Sequence, residues 1–119
     1  MSVGAQERAG AAATAPASCC PRYRAAIELI GRRWTGAIVD VLLRGGPLRF
    51  SQIGHAVPAV SDRLLSERLK DLEAHGVVRR VALAGPRPHG RYELTEMGRD
   101  LAPALAQLKR WAQRWIDEP

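Results

Sequence analysis

Leu48-Arg49-Phe50-Ser51-Gln52-Ile53-Gly54-His55-Ala56-Val57, then Pro58-Ala59-Val60, then Ser61-Asp62-Arg63-Leu64-Leu65-Ser66-Glu67-Arg68-Leu69-Lys70-Asp71-Leu72 is the stretch that decides how this chain folds. The first run is a short amphipathic segment in which Ser51 is placed to cap the first turn, and Phe50, Ile53 and Val57 share one helical face. Pro58 breaks it, because proline has no backbone donor and biases the residue before it away from helical geometry. Ser61 restarts the chain as a helix. Leu65, Leu69 and Leu72 then recur at spacings of four and three with Leu64 beside them, a buried stripe on a helix running to about His75. Gly76 is the C-terminal stop. The opposite face carries Asp62, Arg63, Ser66, Glu67 and Lys70, so this helix is apolar on one side and rich in hydrogen-bonding groups on the other.

The chain then changes period. Val77-Val78-Arg79-Arg80-Val81-Ala82-Leu83 is β-branched and apolar, Gly85-Pro86-Arg87-Pro88-His89-Gly90 is turn chemistry, and Arg91-Tyr92-Glu93-Leu94-Thr95 returns as a second strand. From Arg79 to Arg91 there are four arginines and no acid, so the ribbon is suited to lie along a phosphate backbone. Helix, turn, helix and basic hairpin, in that order, is how a winged helix reads duplex DNA: the second helix enters the major groove near its N-terminus. The fold class expected is mainly α with a small β-hairpin wing.

Charge is distributed as that reading requires. The net charge is +6. Residues 19–60 hold six arginines against Glu28 and Asp40, and residues 76–95 hold four arginines against Glu93. Residues 61–75 carry three bases and four acids, a departure from the simplest expectation for a DNA reader, although Asp71 and Glu73 lie in the distal half. Basic segments that flank a reading helix grip phosphates while the helix addresses bases.

At 119 residues the chain is expected to form one domain, with enough apolar residues for a small core that gains from a partner. Met1 to Ser18 has no basic start followed by an apolar run, and no stretch of about 18 apolar residues occurs, so no membrane association and a cytoplasmic location are expected. Residues 1–18 are Ala/Gly-rich and read as a disordered tail, with the folded domain over 19–119. Cys20-Pro21 starts a helix through Ile30, with Cys20 as its cap and Tyr23, Ile27 and Ile30 on its inner face. A second helix covers Trp34 to Leu43, marked by Ile38, Val41 and Leu42, and ends at Gly45-Gly46-Pro47. A last helical element spans about Glu96 to Ile116, with Leu101, Leu105, Leu108 and Trp111 as a stripe that exceeds what a small core covers. Two adjacent cysteines, Cys19 and Cys20, form no disulfide framework, and with His55, His75 and His89 they show no metal-binding spacing, so neither metal nor cofactor is expected.

Cys20-Pro21, Ile30-Gly31-Arg32-Arg33-Trp34-Thr35, Gly46-Pro47-Leu48-Arg49-Phe50-Ser51, Ser61 with Leu65, Leu69 and Leu72, and Tyr92-Glu93-Leu94-Thr95-Glu96-Met97-Gly98 resemble, in this order, the HxlR-type bacterial transcription regulators, themselves similar to MarR-like winged helices. The resemblance covers about residues 19–116. It implies a homodimeric DNA-binding regulator joined through its terminal helices. It also implies, as in some members, sensing of electrophiles, quinones or oxidants through a cysteine placed like Cys20. The chain departs from the pattern at Gly31-Arg32-Arg33-Trp34, where Gly-Gly-Lys-Trp is usual, and at Gly90-Arg91-Tyr92 in the wing.

These readings give a set of candidate residues. Arg63, Ser66 and Lys70 are expected to contact the groove, with arginine best suited to a bidentate bond to guanine. Ser61 caps the helix and can also present it to phosphate. Glu67 is read as a salt pair with Arg63 in preference to a cytosine contact. Arg49, Ser51, Arg87 and Arg91 complete the DNA set, Arg87 on a hairpin tip stiffened by two prolines. Tyr23, Ile27, Leu101, Leu105, Leu108 and Trp111 are expected to dimerise the chain, and Trp34 and Trp115 to pack. Cys20, flanked by Arg22 and Arg24, is placed to have its thiolate stabilised, with Cys19 as a candidate resolving partner. The function expected is a homodimeric repressor on a pseudo-palindromic operator. The alternatives are control by a non-covalent small molecule, or a winged-helix adaptor that binds protein and not DNA. No convergent acid, base or nucleophile set speaks for an enzyme.

Overall fold

Among the described residues, secondary structure begins where proline pre-sets the helical angle. In a computed structural model that describes residues 20–82 and 90–118, Pro21 opens α1 (Pro21–Ile30), and the Cys20 carbonyl accepts from the Arg24 amide at 3.0 Å, which places Cys20 at the cap. The described residues divide into two compact units, one ending at Ile30 and one beginning at Gly31. None of the residues of α1 is buried. Residues 1–19, with the tail and Cys19, and residues 83–89, with Arg87 and His89, lie outside the described residues.

The second unit contains α2 (Thr35–Gly45), α3 (Phe50–Ala56), α4 (Asp62–Ala74), β1 (Val78–Ala82), β2 (Gly90–Leu94), α5 (Glu96–Arg99) and α6 (Ala102–Trp115). Its core is Ile38, Val39 and Leu42 from α2, Ile53 from α3, and Leu65, Leu69 and Leu72 from α4, closed by Val77, Val78 and Leu94 around the hairpin. Each fully buried leucine stabilises by about 2 kcal/mol. A surface ion pair contributes roughly 0 to 1 kcal/mol, so the leucine stripe supplies most of the stability with which α4 is seated.

Local chemistry sets the helix ends. Ser61 Oγ accepts from the Leu64 amide at 3.1 Å, as the sequence predicts. At the other end Gly76 takes φ +78°, a left-handed position that glycine adopts without a Cβ penalty, and the Val77 amide returns to the Leu72 carbonyl at 2.9 Å. The cap of α3 differs from expectation: Arg49 holds the cap position, its amide donating to Gln52 Oε1 at 2.8 Å, and Ser51 sits inside the first turn. Glutamine reaches back to the cap amide from the third helical position, and serine at the second has no such reach.

β1 and β2 pair antiparallel, Arg79 opposite Glu93 and Arg80 opposite Tyr92. Leu48 exchanges two backbone bonds with Tyr92, at 2.9 and 2.7 Å, which ties the segment before α3 to the wing. The second strand ends at Leu94, one residue short of the expected Thr95, because Thr95 caps α5: its Oγ1 accepts from the Gly98 amide at 3.2 Å and its hydroxyl donates to the Gly76 carbonyl. The expected single helix over residues 96–116 is divided into α5 and α6. In a continuous helix Pro103 would leave the Arg99 carbonyl without its amide partner and press its ring on that turn; here proline stands in the first turn of α6, where no donor is needed.

One residue is strained. Trp34, the position before α2, has φ 72° and ψ −8°, a left-handed conformation that costs a non-glycine residue about 1–2 kcal/mol. Gly31 to Trp34 form a turn closed by the Thr35 amide on the Arg32 carbonyl at 3.0 Å, so the second helix starts at Thr35 and not at Trp34.

Candidate nucleic-acid interface

α4 presents the candidate reading face. With Leu65, Leu69 and Leu72 turned inward, Arg63, Glu67 and Lys70 are exposed on the opposite side, while Ser66 is half-buried on the flank. Arg63 Nε lies 3.4 Å from Glu67 Oε2, the pair the four-residue spacing predicts. The Arg63 side chain is 91% exposed, so the pair is loosely held. An exposed pair of this kind contributes roughly 0.3–0.5 kcal/mol, and a bidentate arginine–guanine contact about 1–3 kcal/mol. A base can therefore take Arg63 from Glu67 at small cost. Asp62 in the first turn complements the helix dipole.

The acidity of residues 61–75 is partly offset within the fold. Asp71 Oδ2 accepts from Arg32 Nη1 at 2.6 Å and lies 3.9 Å from Arg68 Nη1, while Arg68 Nε donates to the Arg33 carbonyl at 2.9 Å. With Glu67 near Arg63, two of the four acids lie beside arginines.

The wing is partly self-engaged. Arg79 forms a close pair with Glu93, so it is not a free cation of the ribbon. Arg91 is half-buried and its Nε is enclosed with no hydrogen-bond partner, which makes it less accessible than a wing contact on the hairpin surface would be. Arg80, not singled out from the sequence, is exposed, lies over the Tyr92 ring at 5.4 Å and passes Gly90. The cross-strand register that sets it over Tyr92 is the signal that could have identified it. Arg49 is exposed at the start of α3, and Ser51 opens on a groove of about 410 Å³ that it shares with His55, Pro58 and Asp62.

The residues expected to dimerise are available on their own units. Tyr23 and Ile27 of α1 are 64% and 53% exposed, and Leu108 and Trp111 of α6 are 57% and 54% exposed, values a settled core position would not show. Leu101 and Leu105 are half-buried, and Lys109 Nζ donates to Asp40 Oδ1 at 2.6 Å, which fastens α6 to α2. Trp115 is exposed beneath Arg114, and Trp34 is half-buried. Cys20 is exposed. Among the described residues no helix is long and apolar enough to cross a membrane.

A capped helix with a buried leucine side and an open polar side, preceded by a short helix and followed by an antiparallel ribbon, defines a winged helix-turn-helix DNA-binding protein. The model of the HxlR-like helix-turn-helix family matches residues 29–119, and the chain belongs to that family. It is 45% identical over 98 residues to the HTH-type transcriptional regulator YvaP of Bacillus subtilis, covering 82% of this chain and 90% of YvaP. The reduced transcriptional regulator YodB of B. subtilis superposes with a TM-score of 0.76 at 36% identity, over 84% of this chain and 97% of YodB. Its quinone-bound form superposes at 0.71 and 37% identity, over 82% of this chain and all of that one. The redox regulator HypR in its oxidised form gives 0.75 at 32% identity, over 83% of this chain and all of HypR. The chain is a DNA-binding transcription regulator, and its relatives are regulators rather than enzymes.

Proposed function

We propose that the chain acts as a homodimeric repressor that reads its operator with Arg63 and Lys70 of α4, grips phosphate with the wing, and releases DNA when Cys20 reacts with an electrophile or oxidant. The observation that carries the regulatory part is the exposed Cys20 at the mouth of a proline-started helix whose Tyr23 and Ile27 are also open. The quinone-bound YodB and oxidised HypR structures support the class of signal. Addition of the thiol to a quinone forms one sulfur–carbon bond and breaks the S–H bond; the thiol proton ends on one quinone oxygen and the proton of the attacked ring carbon shifts to the other, which returns the ring to a hydroquinone. An adduct there would alter the packing of α1 in the dimer. In an isologous dimer the two reading helices would sit about 34 Å apart, on half-sites one turn apart.

The test is a mobility shift of the purified protein on the duplex it enriches from a random-sequence pool, with and without benzoquinone or diamide, beside Cys20→Ser. Loss of binding in the native protein and persistence in Cys20→Ser is the expected result. A Cys20→Ser protein that still lets go removes this thiol from the mechanism. In that event control by a non-covalent ligand is favoured by a cavity of about 390 Å³ lined by Leu42, Leu43, Pro47, Leu94, Arg99 and Ala102.

A further inference from the structure

Two side chains one turn apart on α4 hold two consecutive residues of the turn before α2 by opposite chemistries. Asp71 grips the Arg32 side chain at 2.6 Å, and Arg68 grips the Arg33 backbone carbonyl at 2.9 Å. Arg68 is only 18% exposed and also lies 3.9 Å from Asp71, so the three charges form one unit. The left-handed Trp34 and the bond from the Thr35 amide to the Arg32 carbonyl fix the turn that is held. None of these bonds belongs to the leucine core, and none involves Arg63, Glu67 or Lys70.

We propose that Asp71 and Arg68 are positioning residues for DNA reading: clamped on Arg32 and Arg33, they fix the rotation of α4 about its own axis and so aim the groove-facing side chains. The inference rests on α4 being the reading helix. Apolar burial is non-directional, so a stripe of three leucines sets how deep the helix lies more firmly than how far it is turned. Charge-assisted hydrogen bonds are short and directional, and placed on the flank they resist rotation in particular. A helix with its side chains has a radius of about 5–6 Å, so a rotation of about 10° carries an arginine tip roughly 1 Å. That exceeds the few tenths of an ångström a hydrogen bond tolerates.

A double-mutant cycle tests the clamp on the full chain. Arg32→Ala, Asp71→Asn and the pair together are compared for binding to the pool-enriched duplex and to a random duplex, with the thermal midpoint measured alongside. Each single substitution should lower the enriched-to-random affinity ratio about three- to tenfold, and the double should be no worse than either single, as coupled residues require. Arg32→Lys, which keeps a charged donor, should restore the ratio to within about twofold. Arg63→Ala is run beside them. If Arg63→Ala also leaves the ratio intact, the assignment of α4 as reader has failed. If it lowers the ratio while the clamp variants do not, or if their effects simply add, the clamp is refuted. A fall that follows a lowered thermal midpoint and vanishes on cooling refutes it as well.

Discussion

Gly98 offers the sharpest stability prediction, because a methyl group there has nowhere to go. A Cβ built on Gly98 would meet the Val77 carbonyl oxygen at 2.3 Å and the Leu94 side chain at 3.0 and 3.2 Å. The first contact is to backbone, which cannot swing away as a flexible side chain can. Val77 is itself held by its carbonyl, which accepts from the Thr95 amide at 3.0 Å, and by its amide on Leu72. Three effects combine in Gly98→Ala. Overpacking costs about 1–3 kcal/mol. Displacing the Val77 carbonyl weakens a part-buried hydrogen bond worth about 1 kcal/mol. Alanine in place of glycine in a helix returns about 1 kcal/mol. The net is a loss of about 1–3 kcal/mol, which for a domain of this size lowers the thermal midpoint by roughly 4–20 °C. Urea unfolding followed by circular dichroism measures it directly, with the slope unchanged and the midpoint reduced. A Gly98→Ala protein within about 0.5 kcal/mol of native, the usual range of a surface change, would show that the approach of α5 to Val77 is not as close as described.

Other outcomes follow from the same geometry. Ser61→Ala removes the acceptor for the Leu64 amide and should cost about 1 kcal/mol in the same unfolding assay. Arg63→Ala should lose about 1–3 kcal/mol on the enriched duplex and relax preference at one position per half-site, as read by competition with single-base variants. Arg87→Ala, in the sequence between β1 and β2, should weaken specific and random DNA alike and flatten the salt dependence by roughly one contact per subunit; the reverse pattern for these two arginines would overturn the division into reader and clamp. Leu108→Glu with Trp111→Glu places two charges on the open face of α6 and should convert a dimer at micromolar concentration into a monomer by light scattering. A native protein already monomeric there refutes the dimer proposal.

What the sequence disclosed tracks how local the governing interaction is. The leucine stripe of α4, its Ser61 cap and its Gly76 stop depend on residues within a turn or two, and each was readable from spacing. So was the Arg63–Glu67 pair. The Arg32–Asp71 bond joins residues 39 apart, and nothing in either neighbourhood marks them as partners. Arg80 over Tyr92 and Arg79 on Glu93 depend on strand register, which the sequence alone leaves open. The enclosure of Arg91 Nε is likewise beyond composition, which presents it as one more available cation. The division between α5 and α6 was within reach, since Pro103 is in plain view, but the apolar spacing of Leu101, Leu105 and Leu108 runs across the break and masks it. The strain at Trp34 carried no warning, because a bulky aromatic residue is not where a left-handed backbone is looked for.

α6 buries none of its 14 residues, and Lys109 on Asp40 fastens it to α2. A helix of that length is marginal in water without a packed face, and with Leu105 half-buried but Leu108 and Trp111 open, the proposed dimer would add to its stability. Under that proposal, the stability of this segment, pairing of two copies and competence to occupy an operator would be linked. At low abundance, occupancy would rise with the square of the protomer concentration, so a modest change in expression would throw the regulated gene across a threshold instead of grading its output.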